Sequence, residues 1–410
     1  MIKYISFDNF KCLSGKEFEL DKVNIFTGYN GRGKSSVMQA ILMLSQSTRK
    51  DDMNGIAHLH VNGDFVKLGD FDELLTDPDS MHFGMSLKIH DNENKEHLVN
   101  LGYDMCDDFT IGALGDCKID EVSYFDTASS KPIGKPERGN DEKGDLKPLP
   151  IFLHNQFKSQ NVHYVAADRK GPIKFVERAE IPNIFKVGAD GSSTITTLSA
   201  YHDTVDPELN VNAEDKDSRH LVDSVSMWLN FIMNGGSVGV VGNAVRNSDV
   251  YDKSKKSSIL KIDFSVDDQG RKYPSYHVGF GYSYILSIVV TALIAKENDM
   301  VIIENPEAHL HPEAQTRLTF LLAKLAAKGV QMFIETHSEH VINGFRLAAL
   351  KEEYKLNNSE IRIFFFDFDF SLQSLMIEPT GRIKNWPAGF FDQYQKELAE
   401  ILKLGARVAR

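Results

Sequence analysis

The chain has 410 residues, 42% of them hydrophobic and 25% charged, so an ordinary globular core is available and wholesale disorder is excluded. The net charge of −12 argues against a nonspecific nucleic-acid coat and leaves room only for a local basic groove. No run nears the ~20 apolar residues that span a bilayer, the start MIKYISFDNF does not read as a secretory signal, and Cys12, Cys106 and Cys117 show no CxxC spacing. A cytoplasmic protein with no membrane segment, no disulfide scaffold and no Cys-rich zinc site is expected.

In chain order, KYISFDNF and KVNIFTG read as strands, the second ending on Gly28. SSVMQAILMLSQ carries apolar residues at helical spacing. Strand-like runs such as MHFGMSLKI follow. Asp126 to Pro150, rich in Pro, Gly and charge, reads as a long exposed loop, and a second polar stretch covers about Arg246 to Ser258. Between them SRHLVDSVSMWLNFIM predicts an amphipathic helix. YSYILSIVVTALIAK predicts a buried helix, MVIIEN a buried strand, and EAQTRLTFLLAKLAAKG a helix stopped by Gly329. VQMFIETHS is again a buried strand. IRIFFFDFDF and SLQSLMIEPT predict a hairpin, and FFDQYQKELAEILKLGARVAR a terminal helix. Four portions are expected: 1–125 with the glycine loop, 126–274 as an insertion or lid with polar loops, 275–378 with the later motifs, and 379–410 as a terminal helical segment.

Gly28 to Ser36, GYNGRGKSS, fits GxxxxGK[ST] with a strand before it and a helix after it, the context this motif requires. Glycines let consecutive N–H groups turn inward around phosphate oxygens, and the helix N-terminus adds positive potential. Gly28, Asn30, Gly31, Gly33, Lys34, Ser35 and Ser36 are the candidate ATP-binding residues. Lys34 would reach the β- and γ-phosphates, and Ser35 would offer its hydroxyl to Mg²⁺.

A buried strand in MVIIENPEAHLHP delivers Glu304 at its C-terminal end, where open α/β sheets place ligands. Glu304 is the second candidate magnesium residue. The string IENPEAHLHP, together with NFKCLSGKEFELDKVNIFTGYNGRGKSS, resembles the ABC-type P-loop ATPases of the SMC, RecF and OLD branch. A bacterial subgroup with a C-terminal Gly-Phe-Phe-Asp is the closer resemblance, with Gly389, Phe390, Phe391 and Asp392 supplying that segment here. The resemblance implies an α/β ATPase head with a mixed sheet, a large central insertion and a C-terminal helix. It implies that an acid normally polarises water at the position held by Asn305, which cannot accept a proton. Either Glu304 or Glu307 substitutes, or hydrolysis is slow; Glu307 reads equally as a helix-starting acid. It also implies a switch role for His337 in ETHSEH, and a signature segment in VGFGYSYIL, where Gly279, Gly281 and Ser283 would meet the γ-phosphate of an opposite subunit.

Weaker readings surround these. Arg169 in YVAADRKGP reads as a phosphate or partner contact, or as a surface arginine. Asn9, Phe10 and Lys11 fall near the adenine by position, and neither Gln46 nor GDFDELL is a clear Q-loop. His309 and His311, with His337 and His340 nearby in sequence, invite zinc but lack a well-placed third ligand. Asp367 and Asp369 imitate a metal pair, yet strand alternation would put both on one exposed face. About 270 residues without sustained heptads separate Lys34 from Glu304, unlike long-armed SMC proteins, and only about seventy follow His337, too few for an OLD-type nuclease domain. The resemblance implies a homodimer or higher homo-oligomer that closes around ATP. It further implies a regulated effector, a separate nuclease, in anti-phage defence of the Septu or retron kind. A DNA-binding repair or recombination ATPase, or a nuclease with its own metal site, is the alternative.

Overall fold

The computed structural model describes residues 1–48, 55–91, 93–126, 150–177, 185–242, 259–266, 270–387 and 389–408. The two stretches expected as exposed polar loops lie, but for Asp126 and Pro150, outside the described residues.

A six-stranded sheet forms the centre, in the order Leu372–Met376, Ile361–Phe366, Val23–Gly28, Gln331–Glu335, Met300–Glu304 and Val162–Val165. Its strands run parallel except Leu372–Met376, which closes an antiparallel hairpin. Each parallel strand is an almost unbroken apolar run because both faces are covered. Side chains alternate between two cores. Val23, Ile25, Val301, Ile303 and Ile334 enter one, whereas Phe26, Ile302, Phe333 and Phe364 enter the other. On that second face Phe26 stacks on Phe333 and Phe364 with ring centroids 6.3 and 5.3 Å apart.

The Phe26 face carries helix Lys34–Ser47 and an antiparallel sheet. That sheet runs in the order Glu17–Glu19, Ile2–Asp8, His82–His90, Glu96–Met105, Ile111–Ile119 and His58–His60, with Val122–Asp126 beside Ile111–Ile119. Strict burial of every second residue in His82–His90 shows that only one of its faces meets the core. The Val23 face carries helices Leu221–Met233, Phe280–Ile294, Pro312–Ala327 and Glu339–Leu350. Helix Pro312–Ala327 begins where His311 caps it with Pro312 at the first turn, and it ends just before Gly329, whose φ of +88° suits glycine.

The edge strand Val162–Val165 comes from the middle of the chain, so this stretch builds part of the central sheet. The terminal helix starts at Gln393, later than the sequence suggests. The Phe-Phe-Asp residues lie before it because Asp392 accepts the Gly389 N–H (3.0 Å) and Phe390 is buried edge-on against Phe365 (5.4 Å). Among the described residues no helix is long and apolar enough to cross a membrane.

Candidate functional site

The glycine loop leaves the C-terminal end of Val23–Gly28 and turns into helix Lys34–Ser47. Gly28, Gly31 and Gly33 have φ of +119°, +69° and +103°, values that side-chain-bearing residues rarely adopt. Two of these positions are crowded as well. A Cβ on Gly28 would lie 2.2 Å from the Phe366 carbonyl oxygen, and one on Gly33 2.7 Å from Cys12 Sγ. Asn30 and Gly31 are exposed at the tip, and the Ser36 N–H bonds back to Gly33 O (3.1 Å). Lys34 is only 3% exposed. Its ammonium donates to the carbonyls of Gly28 (3.1 Å) and Tyr29 (2.8 Å), curling the loop around the position a phosphate would take. Burial lowers the Lys34 pKa, and the nearby Glu335 carboxylate opposes that shift.

Glu335 stands beside this lysine, with Glu304 and Glu307 close to Glu335. Glu304 and Glu335 are level with each other at the ends of neighbouring parallel strands. Glu335 accepts the Ser35 hydroxyl at 2.6 Å and stands 4.0 Å from the Lys34 ammonium. Burial raises its pKa; the Ser35 bond works against this, and the Glu304 charge adds to it. Glu304 faces the other way: Tyr164 OH donates to its Oε1 (3.0 Å) and the Ala167 N–H to its Oε2 (3.2 Å). Glu307 accepts the Thr336 hydroxyl and the His337 N–H, both at 2.7 Å, tying the loop after the acidic strand to the switch segment. His337 has its pKa lowered by burial and by Lys34.

Asn305 has a φ of +45°, its N–H bonds to Glu335 O (2.8 Å), and its carbonyl accepts the Ala308 N–H (3.1 Å). Asparagine is among the few residues that tolerate this left-handed conformation, so the turn itself selects for the side chain present. Arg169 is closed to solvent, unlike a surface arginine. It is 3% exposed and forks into the carbonyls of Ala166, Glu304 and Asn305 at 3.0, 2.8 and 2.8 Å, holding the end of the acidic strand.

Helix Phe280–Ile294 starts at the surface, with Gly279 as its N-cap and Phe280 56% exposed. Gly281 is buried, and a Cβ there would lie 2.8 Å from His309 O. Ser283 departs from expectation. Its hydroxyl is buried inside its own chain, beside Lys170, Gly191 and Thr194, with no partner among the described residues. At the second residue after Gly281 the helix has already turned it inward.

The histidines after the acidic strand have other partners. His309 stacks against Tyr284 (4.5 Å), His311 caps a helix through Nδ1, and no group of three or more His, Cys, Asp or Glu among the described residues could hold a metal ion. Asp367 and Asp369 do not share a strand face. The strand stops at Phe366 and both acids cap N–H groups of the turn, Asp367 that of Phe368 (2.6 Å) and Asp369 that of Ser371 (2.9 Å). Phe10 is fully buried against Phe7 and Phe83, so it is closed to a base. Lys11 donates to Gln39 (2.7 Å), and Asn9 binds the carbonyls of Asp77 and His82. Gln46 braces His60, Phe65 and Val66.

The donors present, a serine hydroxyl and carboxylates, are the hard oxygens that magnesium prefers, and such a site needs only one or two protein ligands beside the phosphates. Sequence reasoning missed Glu335, the bond from Tyr164 to Glu304 and the Cys12–Leu13 floor beneath Gly33. Glu335 had the same signal as Glu304, an acid ending a buried strand.

A family model described as "AAA domain, putative AbiEii toxin, Type IV TA system" matches residues 23–343, and one described as a "protein of unknown function (DUF3696)" matches 356–401. No curated protein sequence matches the chain. Among solved structures, an SMC head bound to the C-winged helix domain of ScpA is 11% identical with a TM-score of 0.48, covering 92% of this chain and 98% of that one. The Smc head with an extended coiled coil from Pyrococcus furiosus is 12% identical with a TM-score of 0.48, covering 98% and 99%. The recombination mediator RecF with ATP is 14% identical with a TM-score of 0.41, covering 91% and 97%. All three likenesses are distant. A glycine loop curled around a buried lysine, between parallel strands ending in acids, and a family match across residues 23–343 lead to one statement: the chain belongs to the AAA-domain family of P-loop ATPases described as putative AbiEii toxins of type IV toxin–antitoxin systems.

Proposed function

We propose that the chain binds ATP with magnesium, hydrolyses it slowly, and uses the bound nucleotide to hold two copies together. The observation that carries this reading is the buried Lys34 ammonium, held by the Gly28 and Tyr29 carbonyls beside the Ser35–Glu335 pair. Lys34, the loop N–H groups from Gly28 to Ser36, and Ser35 bind the phosphates and their metal. Magnesium, when bound, neutralises phosphate charge and polarises the transferred group. Glu304, fixed by Tyr164 and Ala167, is the acid of the centre. His337 donates a hydrogen bond to the γ-phosphate from a neutral ring, in keeping with its lowered pKa. Slow turnover follows from Asn305, which has no basic atom, and from Glu307, both of whose oxygens are occupied.

Dimerisation is supported by the exposed start of helix Phe280–Ile294, where free N–H groups at Gly279–Gly281 can meet a partner's γ-phosphate. The family's description as a putative toxin supports a role in bacterial defence, with nucleotide state regulating an effector nuclease. The experiment is sedimentation with magnesium and a slowly hydrolysed ATP analogue. Gly279→Glu is the control, because a Cβ there meets nothing within 4 Å and the fold should survive. Wild type should shift to dimer and the variant should not. A wild type indifferent to nucleotide would count against the ATP-held dimer.

A further inference from the structure

We propose that Glu335 is the positioning residue that aims the Ser35 hydroxyl at the nucleotide's magnesium, a role that rests on the ATP-binding reading above. A serine hydroxyl has one proton and two lone pairs, and only a lone pair can ligate a cation. In the free chain that proton is committed to Glu335 Oε2 at 2.6 Å, so the remaining lone pairs turn away from Glu335. The bond is of the charge-assisted kind, short and directional.

Glu335 alone of the three acids is placed for this. Glu304 spends one oxygen on Tyr164 and the other on the Ala167 N–H. Glu307 spends both on Thr336 and His337. Glu335 is 8% exposed, and its Cα is paired across the ladders with Glu304 on one side and Phe26 on the other, two residues before the glycine loop begins. Lys34, 4.0 Å away, keeps a positive charge beside it. Burial, register and the neighbouring cation thus fix the carboxylate before any nucleotide arrives. An outer carboxylate that orients a metal ligand typically contributes 10–100-fold in metal affinity.

The test measures ATP binding by calorimetry across a magnesium titration, with a parallel series in chelator. Glu335→Gln should raise the magnesium midpoint at least tenfold while ATP binding in chelator is no weaker than wild type, because an amide can present its N–H₂ to Ser35 and turn the serine proton toward the metal. Ser35→Ala should raise the midpoint similarly, and adding Glu335→Gln to it should change nothing further, since coupled residues are not additive. Glu335→Asp keeps the charge but draws the carboxylate back by one methylene; a raised midpoint here marks positioning and not charge. A wild-type midpoint in both Glu335 variants, or full additivity with Ser35→Ala, would overturn the proposal. Wild-type protein that binds no ATP under any condition would instead refute the nucleotide reading itself.

Discussion

Removing the Lys34 ammonium tests the nucleotide loop most directly. The side chain has three N–H donors, and two are held by Gly28 O and Tyr29 O at 3.1 and 2.8 Å. A phosphate therefore finds one donor free and two that it must share or displace. A hydrogen bond to a charged group contributes about 1.5–3 kcal/mol, which corresponds to roughly 10- to 150-fold in affinity. Lys34→Ala also leaves Glu335 without its neighbouring cation, so repulsion toward the incoming phosphates rises. The net expectation is at least a tenfold loss of ATP affinity. Lys34→Met separates the causes: it keeps most of the buried stem and loses only the ammonium, so it should match Lys34→Ala in affinity while melting closer to wild type. Calorimetry at fixed magnesium and ionic strength measures this, and urea unfolding reports the fold. Wild-type ATP affinity in both variants would refute the placement of phosphate at this loop.

Three further outcomes are expected. Arg169→Ala should cost about 3 kcal/mol or more in urea unfolding, because three carbonyls lose a buried forked donor, and Arg169→Lys should rescue little because an ammonium cannot reproduce the fork. Asn305→Gly should be close to neutral in stability, whereas Asn305→Glu should lose about 1–2 kcal/mol to left-handed strain yet raise phosphate release by supplying a base; unchanged stability would contradict the observed φ of +45°. Glu307→Ala and Thr336→Val should each slow phosphate release, and the double variant should be no slower than Glu307→Ala alone, since the 2.7 Å Thr336–Glu307 bond is lost in both.

The sequence carried the local grammar of the site and little of its wiring. The glycine loop was legible because its residues, its preceding strand and its following helix are contiguous, and the helices at Leu221–Met233, Phe280–Ile294 and Pro312–Ala327 follow from apolar spacing and stop signals. Asp367 and Asp369 were misplaced because a run of phenylalanines hides where the strand stops; the turn is set by hydrogen bonds to their own carboxylates. Ser283 was misplaced because two residues swing a helix position about 200° around its axis, to the opposite face, which a string of letters does not display. Glu335 was passed over because its partner Ser35 lies 300 residues away, and the reading of Arg169 stayed open because a buried arginine and a surface arginine have the same spelling. Asn305 looked like a catalytic loss, while the backbone at that point supplies an independent reason for asparagine.

The order of the central sheet also bears on how the protein is made. Val23–Gly28 leaves a ribosome about 300 residues before both of its sheet neighbours, Gln331–Glu335 and Ile361–Phe366. The Tyr29 N–H and the crowded Gly28 both rest on the Phe366 carbonyl, and Arg32 reaches the Phe368 carbonyl (2.9 Å). A nascent chain therefore carries an unfinished cradle while the intervening residues are made, with an apolar strand awaiting partners more than 300 residues downstream. Such long-range pairing folds slowly and exposes the chain to aggregation. The cradle is therefore finished only once Gln331–Glu335 and Ile361–Phe366 have docked beside Val23–Gly28.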